Sequence, residues 1–220
     1  MILYLIPARK GSKGVPDKNL LRLTEGGSPL VRRAWHLTGK CRTGLIRVTT
    51  DYTNDEMGFS DWNNSIRQRR PELCRDDTPM IDVVRDALEE MLFDIVVLLQ
   101  PSCPFRRPED IDAAIGKVQD GAKTCISVVK TTHAHPAYQL TADGKWAFPP
   151  LDPFSNRQDL PTYYTRVGAF YVARADHIRD GGDWYTEDQA FVEVPWYSGI
   201  NIDTPEDVII AKAVAQELGL

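Results

Sequence analysis

MILYLIPARKGSKGVPDKNL, residues 1–20, opens the chain and decides how the rest is read. Ile2 to Ile6 is a short, partly β-branched apolar run closed by Pro7, which predicts a buried strand. The residues beyond it cannot form a helix, because Gly11, Gly14 and Pro16 interrupt the helical period. This loop nevertheless carries Arg9, Lys10, Lys13 and Lys18, with Ser12 and Asn19 among them. Small residues let backbone N–H groups approach an anion closely while the cations neutralise it. The pattern predicts a polyphosphate cradle at the C-terminal end of a first strand, where open α/β sheets bind ligands. It matches neither G-x-x-x-x-G-K-[ST] nor G-x-G-x-x-G, so a dinucleotide-binding dehydrogenase is disfavoured.

Outward from this loop, strands and helices alternate. Ser28-Pro29 before LVRRAWHLTG predicts an N-cap, a proline at the first helical position and a helix ending near Gly39. Leu45 to Asp51 reads as a second strand, the stretch around Asp55–Met57 as a short helix, and IRQRRPEL as a third strand before Pro71. Met80 to Leu92 places Ile81, Val84, Leu88 and Met91 on one helical face, a core face. Asp94 to Gln100, apolar almost throughout, predicts a central parallel strand. A helix from Pro108 to about Val118, a strand from Thr124 to Lys130 and another from Val167 to Ala173 follow. Thr204-Pro205-Glu206-Asp207 then begins a final N-capped helix. This rhythm predicts one α/β domain over residues 1–220 with a mostly parallel central sheet. Residues 131–165 break it with a hairpin around Asp143-Gly144 and a proline-rich segment. They read as an insertion carrying exposed aromatics and packing on a second subunit.

A chain of 220 residues with 42% hydrophobic and 26% charged content suits a single globular domain. No apolar run approaches the roughly 18 residues of a membrane span, and no secretory leader is evident. Four scattered cysteines without C-x-x-C spacing read as reduced thiols, so a cytoplasmic protein is expected. A net charge of −5 argues against nucleic acid as partner, though local basic clusters can still hold an acidic ligand. His133 and His135 form an isolated H-x-H, for which a surface role is favoured over a metal site.

IPARKGSKGVPDKNL resembles the N-terminal signature of the CMP-sugar synthetases, the cytidylyltransferases that activate sialic acid and related nine-carbon keto-sugar acids. Four further blocks are similar to that family in the same order: RRPELCRDDTPMIDVVRDALE, LLQPSCPFR, RQDLPTYYTRVGAFYV and NIDTPEDV. The resemblance implies a Rossmann-like nucleotide-diphosphosugar transferase sandwich with a β-hairpin insertion for homodimerisation. It implies attack of a sugar-acid hydroxyl on the α-phosphate of CTP with loss of pyrophosphate, a reaction that depends on positioning and charge neutralisation. Arg9 and Lys13 would then hold the triphosphate, with Lys13 or Lys18 meeting charge on the leaving pyrophosphate. Ala8, Ser12 and Asn19 complete the nucleotide loop, and the Asn19 amide suits a cytosine edge.

The same resemblance places a nucleotide-contacting arginine at Arg69 or Arg70, and ribose recognition at Asp82. For Asp82 the competing reading is charge in the first turn of a helix. Gln100, Ser102 and Arg106 lie just past the central strand, where substrate is expected. Arg157 matches an arginine suited to clamp the sugar carboxylate, and Tyr171 would line the acceptor pocket. The family's paired aspartates for Mg²⁺ (or Mn²⁺) appear here as Asn201 and Asp203, alternate residues that share a face in an extended segment. The competing reading of Asp203 is a helix cap. Val167 replaces an asparagine, Tyr138 stands where a lysine can occur, and Thr165-Arg166 shifts an arginine by one position. These departures leave open sialic, legionaminic, pseudaminic or deoxyoctulosonic acid as acceptor, or a binding protein without turnover.

Overall fold

Every residue of β1 (Ile2–Ala8) is buried, because the strand lies in the middle of a sheet covered on both faces. The computed structural model describes residues 1–58, 62, 64–131, 139–143, 145 and 161–220. The other strands are β2 (Leu45–Thr50), β3 (Ile66–Gln68), β4 (Ile95–Leu98), β5 (Thr124–Lys130), β6 (Tyr164–Arg174) and β7 (Ala190–Glu193). They form one sheet in the order β3-β2-β1-β4-β6-β5-β7. Only β6 runs against its neighbours, pairing antiparallel with β4 and β5. The helices are α1 (Leu30–Thr38), α2 (Asn54–Met57), α3 (Met80–Leu88), α4 (Pro108–Gln119), α5 (Ala175–Arg179) and α6 (Pro205–Glu217).

The alternation of β1 sorts the core into two layers. Tyr4 and Ile6 face Val31 and Ala34 of α1 together with Ile111 and Ile115 of α4. Leu3 and Leu5 face Val84, Ala87 and Leu88 of α3 and Ile178 of α5. Each such side chain contributes roughly 1.5–3 kcal/mol when fully buried. A third cluster joins Val15 of the first loop to Phe105, Ile202 and Ala211, and so fixes α6 beside that loop.

Three details differ from the sequence expectation. Ser28 does not cap α1: Pro29 is the cap residue, and the Leu30 N–H donates to the Leu21 carbonyl at 3.0 Å. The third helix stops at Leu88, and Met91 is exposed, because the chain must turn there to deliver Phe93 and β4 to the core. Arg179 closes that helix end by donating to the Leu88 and Met91 carbonyls. Strand β7 and helix α5 carry too little periodicity to announce themselves in sequence. Within the 131–165 stretch, the Thr141 N–H donates to the Lys145 carbonyl at 2.7 Å, while Gly144 and most of the rest lie outside the described residues.

Candidate active site

The strand order turns back at β1, which has β2 on one side and β4 on the other. Loops leaving the C-terminal ends of β1 and β4 therefore diverge around a crevice, the usual ligand position in such sheets. A cleft of about 230 Å³ lies there, with Arg9, Ser12, Lys13, Lys18 and Asn19 from the first loop and Gln100 and Ser102 from the second. Arg69 and Asp203 complete it.

The first loop is held by packing at close quarters. A Cβ on Gly14 would lie 2.0 Å from the Asp203 carbonyl oxygen, so only glycine lets the loop meet that segment. Asn19 is buried, and its Nδ2 donates to the Arg9 carbonyl at 2.8 Å, closing the loop on itself. Ala8 at the end of β1 is buried, and its carbonyl accepts from Thr50 Oγ1 at 2.5 Å. The cations are pre-positioned by carboxylates. Asp76 bridges Arg9 at 2.5 Å and Lys13 at 2.6 Å, and those two partners hold its carboxyl below the usual range. Lys18 pairs with Asp203 at 2.8 Å.

Arg69 and Arg70, adjacent in sequence, part company. Arg69 is buried at the cleft, where Nη2 donates to the Thr49 carbonyl at 2.9 Å and desolvation lowers its pKa. Arg70 turns away to Asp86 at 2.8 Å and Glu89 at 2.7 Å. Asp82 sits in the first turn of α3, pairs with Arg85 at 3.2 Å and does not line the cleft, although Met80 does. Arg106 stands behind the cleft floor, donating to the Gln100 and Ala169 carbonyls.

Asn201 and Asp203 are neighbours in space, with the Asn201 amide donating to Asp203 and its Oδ1 accepting from Cys103 Sγ at 3.4 Å. The cap of α6 is Thr204 in a reciprocal box with Asp207, so the Asp203 carboxylate is not used as a helix cap. No group of three or more His, Cys, Asp or Glu suited to a metal exists among the described residues. The Asp203 carboxylate nevertheless suits Mg²⁺, which commonly takes one or two protein oxygens and fills its shell with phosphates and water, and the Asn201 oxygen would join it by giving up its Cys103 contact.

On the side of β4 away from β1, Gln100 Oε1, Cys103 Sγ and the Tyr171 hydroxyl converge on Gly168, where a Cβ would meet them at 3.4, 3.2 and 4.0 Å. Strand β6 is irregular here: Val128 pairs with Arg166, yet Ile126 pairs with Tyr171. The extra residues reverse the alternation, so Arg166 and Tyr171 share a face despite their odd spacing. Arg166 stacks over the Tyr185 ring at 4.0 Å, and Tyr171 packs on Trp184 at 5.5 Å. Burial, ahead of contact with Tyr185, pushes the Tyr171 phenol up. Ser127 pins the bulge, its Oγ donating to the Val167 carbonyl at 2.8 Å and accepting from the Phe170 N–H at 3.2 Å.

Sequence reasoning missed Asp76, Arg166 and Ser127 as parts of this site. Only the frameshifted arginine left a trace there, as a departure from pattern. Arg157, Tyr138, His133 and His135 lie outside the described residues.

The cytidylyltransferase family profile matches residues 3–175. A CMP-N,N'-diacetyllegionaminic acid synthase of Legionella pneumophila is 31% identical over 98% of this chain and 96% of its own length. An N-acylneuraminate cytidylyltransferase of Oncorhynchus mykiss is 28% identical over 96% of the chain, which spans about half (49%) of that relative. Among solved structures, a CMP:2-keto-3-deoxy-manno-octonic acid synthetase complexed with CTP superposes with a TM-score of 0.73 at 19% identity, over 98% of this chain and 99% of that one. That likeness supports the fold.

Proposed function

The chain belongs to the cytidylyltransferase family, and from that premise we propose that it joins CMP from CTP to a keto-sugar acid with release of pyrophosphate. The observation that carries this reading is the cleft at the β1/β4 crevice, where Arg9, Lys13, Lys18 and Arg69 converge. Four cations in one small cleft match a triphosphate and little else of that size. Arg9 and Lys13, already aligned by Asp76, exchange that carboxylate for phosphate oxygens. Lys18 meets the charge that develops on the departing pyrophosphate. Ser12 donates to a phosphate oxygen, and the Oδ1 of Asn19, whose Nδ2 is engaged, is the side left to read the base.

The acceptor is placed across Gln100 and Tyr171, with Arg166 offering its guanidinium edge to the sugar carboxylate. Arg157 joins it on the strength of the family resemblance. A nine-carbon acid of the sialic or legionaminic type fits the relatives best. Asp203, with Asn201 beside it, would hold Mg²⁺ arriving as the CTP complex. Bound there, the ion would neutralise phosphate charge and polarise the α-phosphate. Asp203 must then trade its Lys18 pair for the metal, which frees Lys18 for the pyrophosphate. We place the protein in the cytoplasm as a homodimer. No helix among the described residues is long and apolar enough to cross a membrane. Exposed Tyr163 and Tyr164 lie at the end of the 131–165 insertion and exposed Phe191 packs on Tyr164, in keeping with a dimer face there.

The test is pyrophosphate release with CTP, ATP or GTP, Mg²⁺ and a panel of N-acetylneuraminic, legionaminic, pseudaminic and deoxyoctulosonic acids. Release that requires CTP and a nine-carbon acid is expected. CTP binding with no release for any acid overturns the proposal.

A further inference from the structure

A second cavity, about 610 Å³ in volume, shares the segment after β4 with the nucleotide cleft. This size falls within the range of small-molecule sites. One wall is a single face of α1 and the turn after it, bearing Arg33, His36 and Lys40. Arg106 and Arg107 stand opposite, and Phe105 and Tyr197 supply aromatic surface. Leu218 and Leu220, at the end of the sequence, add to its apolar surface, and no acidic side chain lines it among the described residues. In a chain of net charge −5 that is a local reversal of sign.

Some of this charge is already engaged. Arg107 makes a two-point pair with Asp110 at 2.8 and 2.6 Å, and His36 Nε2 accepts from Arg32 at 3.2 Å. Arg106 is held by backbone carbonyls. Arg33 and Lys40 have no carboxylate partner among the described residues. The Arg33 Nε is also enclosed without a hydrogen-bond acceptor there. Enclosed donors in folded proteins are nearly always paired, so this one has capacity for a water or an anion entering the cavity.

Two segments that line the cavity continue into the cleft, and α1 does not. Gln100 and Ser102 line the cleft, whereas Pro104 to Arg107 line the cavity, and the Arg106 guanidinium grips the Gln100 carbonyl between them. Tyr197 lies in the turn Trp196–Gly199, just before Asn201 and Asp203, and the Ile202 N–H donates to the Ser102 carbonyl at 2.9 Å. A group seated against Phe105 and Tyr197 therefore bears on two of the segments that shape the cleft.

We propose that this cavity is a second anion site, taking a small organic phosphate or carboxylate with an aromatic or apolar body, and that its occupancy alters CTP use through these two segments. The coupling rests on the cytidylyl-transfer reading above; the binding does not.

Phenyl phosphate, benzoate and neutral benzyl alcohol serve as probes, titrated calorimetrically into the full chain. One or both anions should bind and the alcohol should not, and the stronger arm distinguishes phosphate from carboxylate. Arg33→Gln and the solvent-exposed Lys40→Ala should each weaken binding about tenfold, while Lys13→Ala in the cleft leaves it unchanged. The better anion should shift KM for CTP in the wild type and not in Arg33→Gln. If the chain shows no turnover, the shift is sought in CTP binding by the same calorimetry, so the two readings fail separately. The site is overturned if neither anion binds at about 10 mM, or if Lys13→Ala abolishes binding that Arg33→Gln retains. Anion binding that leaves CTP affinity and kinetics untouched overturns the coupling.

Discussion

Arg69 and Arg70 carry the same charge on adjacent residues, and burial alone separates them. Arg69 is desolvated and fixed on the Thr49 carbonyl, so it presents its remaining N–H groups to the cleft at little entropic cost. Arg69→Ala should lower kcat/KM for CTP about a hundredfold, the scale of losing one preorganised donor at a charged transition state. Arg70→Ala should leave it within about threefold, since Arg70 pairs with Asp86 and Glu89 and does not line the cleft. Equal effects in the two folded variants would refute the assignment. Asp203 lends itself to a sharper test now that Thr204 is seen to cap α6. Asp203→Asn should nearly abolish turnover with thermal stability almost unchanged, whereas Asn201→Asp should lower the Mg²⁺ needed for half-maximal rate. Normal turnover in Asp203→Asn would remove the metal role.

Elements position these side chains through a few tight contacts. Gly14→Ala drives a methyl group against the Asp203 carbonyl, 2.0 Å away, and the methyl position is fixed by the backbone while the carbonyl belongs to it, so neither can rotate aside. The first loop must then lift from the 201–203 segment, so KM for CTP should rise about tenfold or more while Tm falls by only a few degrees. Unchanged kinetics would show that the loop is free to adapt. The capping box of α6 has its own pH signature. N–H groups of Asp203 and Thr204 hold the Asp207 carboxyl below its usual range. A depressed folded-state pKa contributes stability that is fully present above the unfolded value near about pH 4 and is lost as pH falls through the folded one. Asp207→Asn should therefore cost about 1 kcal/mol at pH 7, and the difference from wild type should shrink near about pH 3. Urea midpoints at the two pH values decide it, and an equal difference at both would refute the cap's ionic part. The β6 bulge is the third device: Ser127 fills it, and Arg166 joins Tyr171 because of it.

For the whole molecule, a net charge of −5 coexists with a cationic cleft because Asp76 and Asp203 balance that cleft locally. Such an arrangement favours exchange, with carboxylates giving way to a triphosphate and returning when pyrophosphate leaves. Tyr163 and Tyr164 at the end of the insertion, and Phe191 beside them, are each more than 40% exposed, and surface of this kind is better buried between two copies. Sedimentation at micromolar concentration should show a dimer, and Tyr164→Lys with Phe191→Lys should shift it toward monomer. A wild-type monomer with full turnover would remove the dimer from the proposal.

The sequence by itself determined most of the strands, their alternation with helices and the first loop. Buried strands such as Ile95–Leu98 and faces such as Val84–Leu88 are written in local hydrophobic period, and Gly11, Gly14 and Pro16 exclude any regular element. It also located most of the cleft, because Arg9, Lys13 and Lys18 lie on one short loop and Gln100 and Ser102 on another. Tertiary structure alone decided what depends on contact across the chain. Arg69 was separated from Arg70 by which one the strand edge buried, and Asp76 met Arg9 and Lys13 from a distant segment. Arg166 joined Tyr171 on one face through a bulge that no period encodes. Local pattern reports what each residue prefers, whereas such pairings depend on where the fold brings distant segments together.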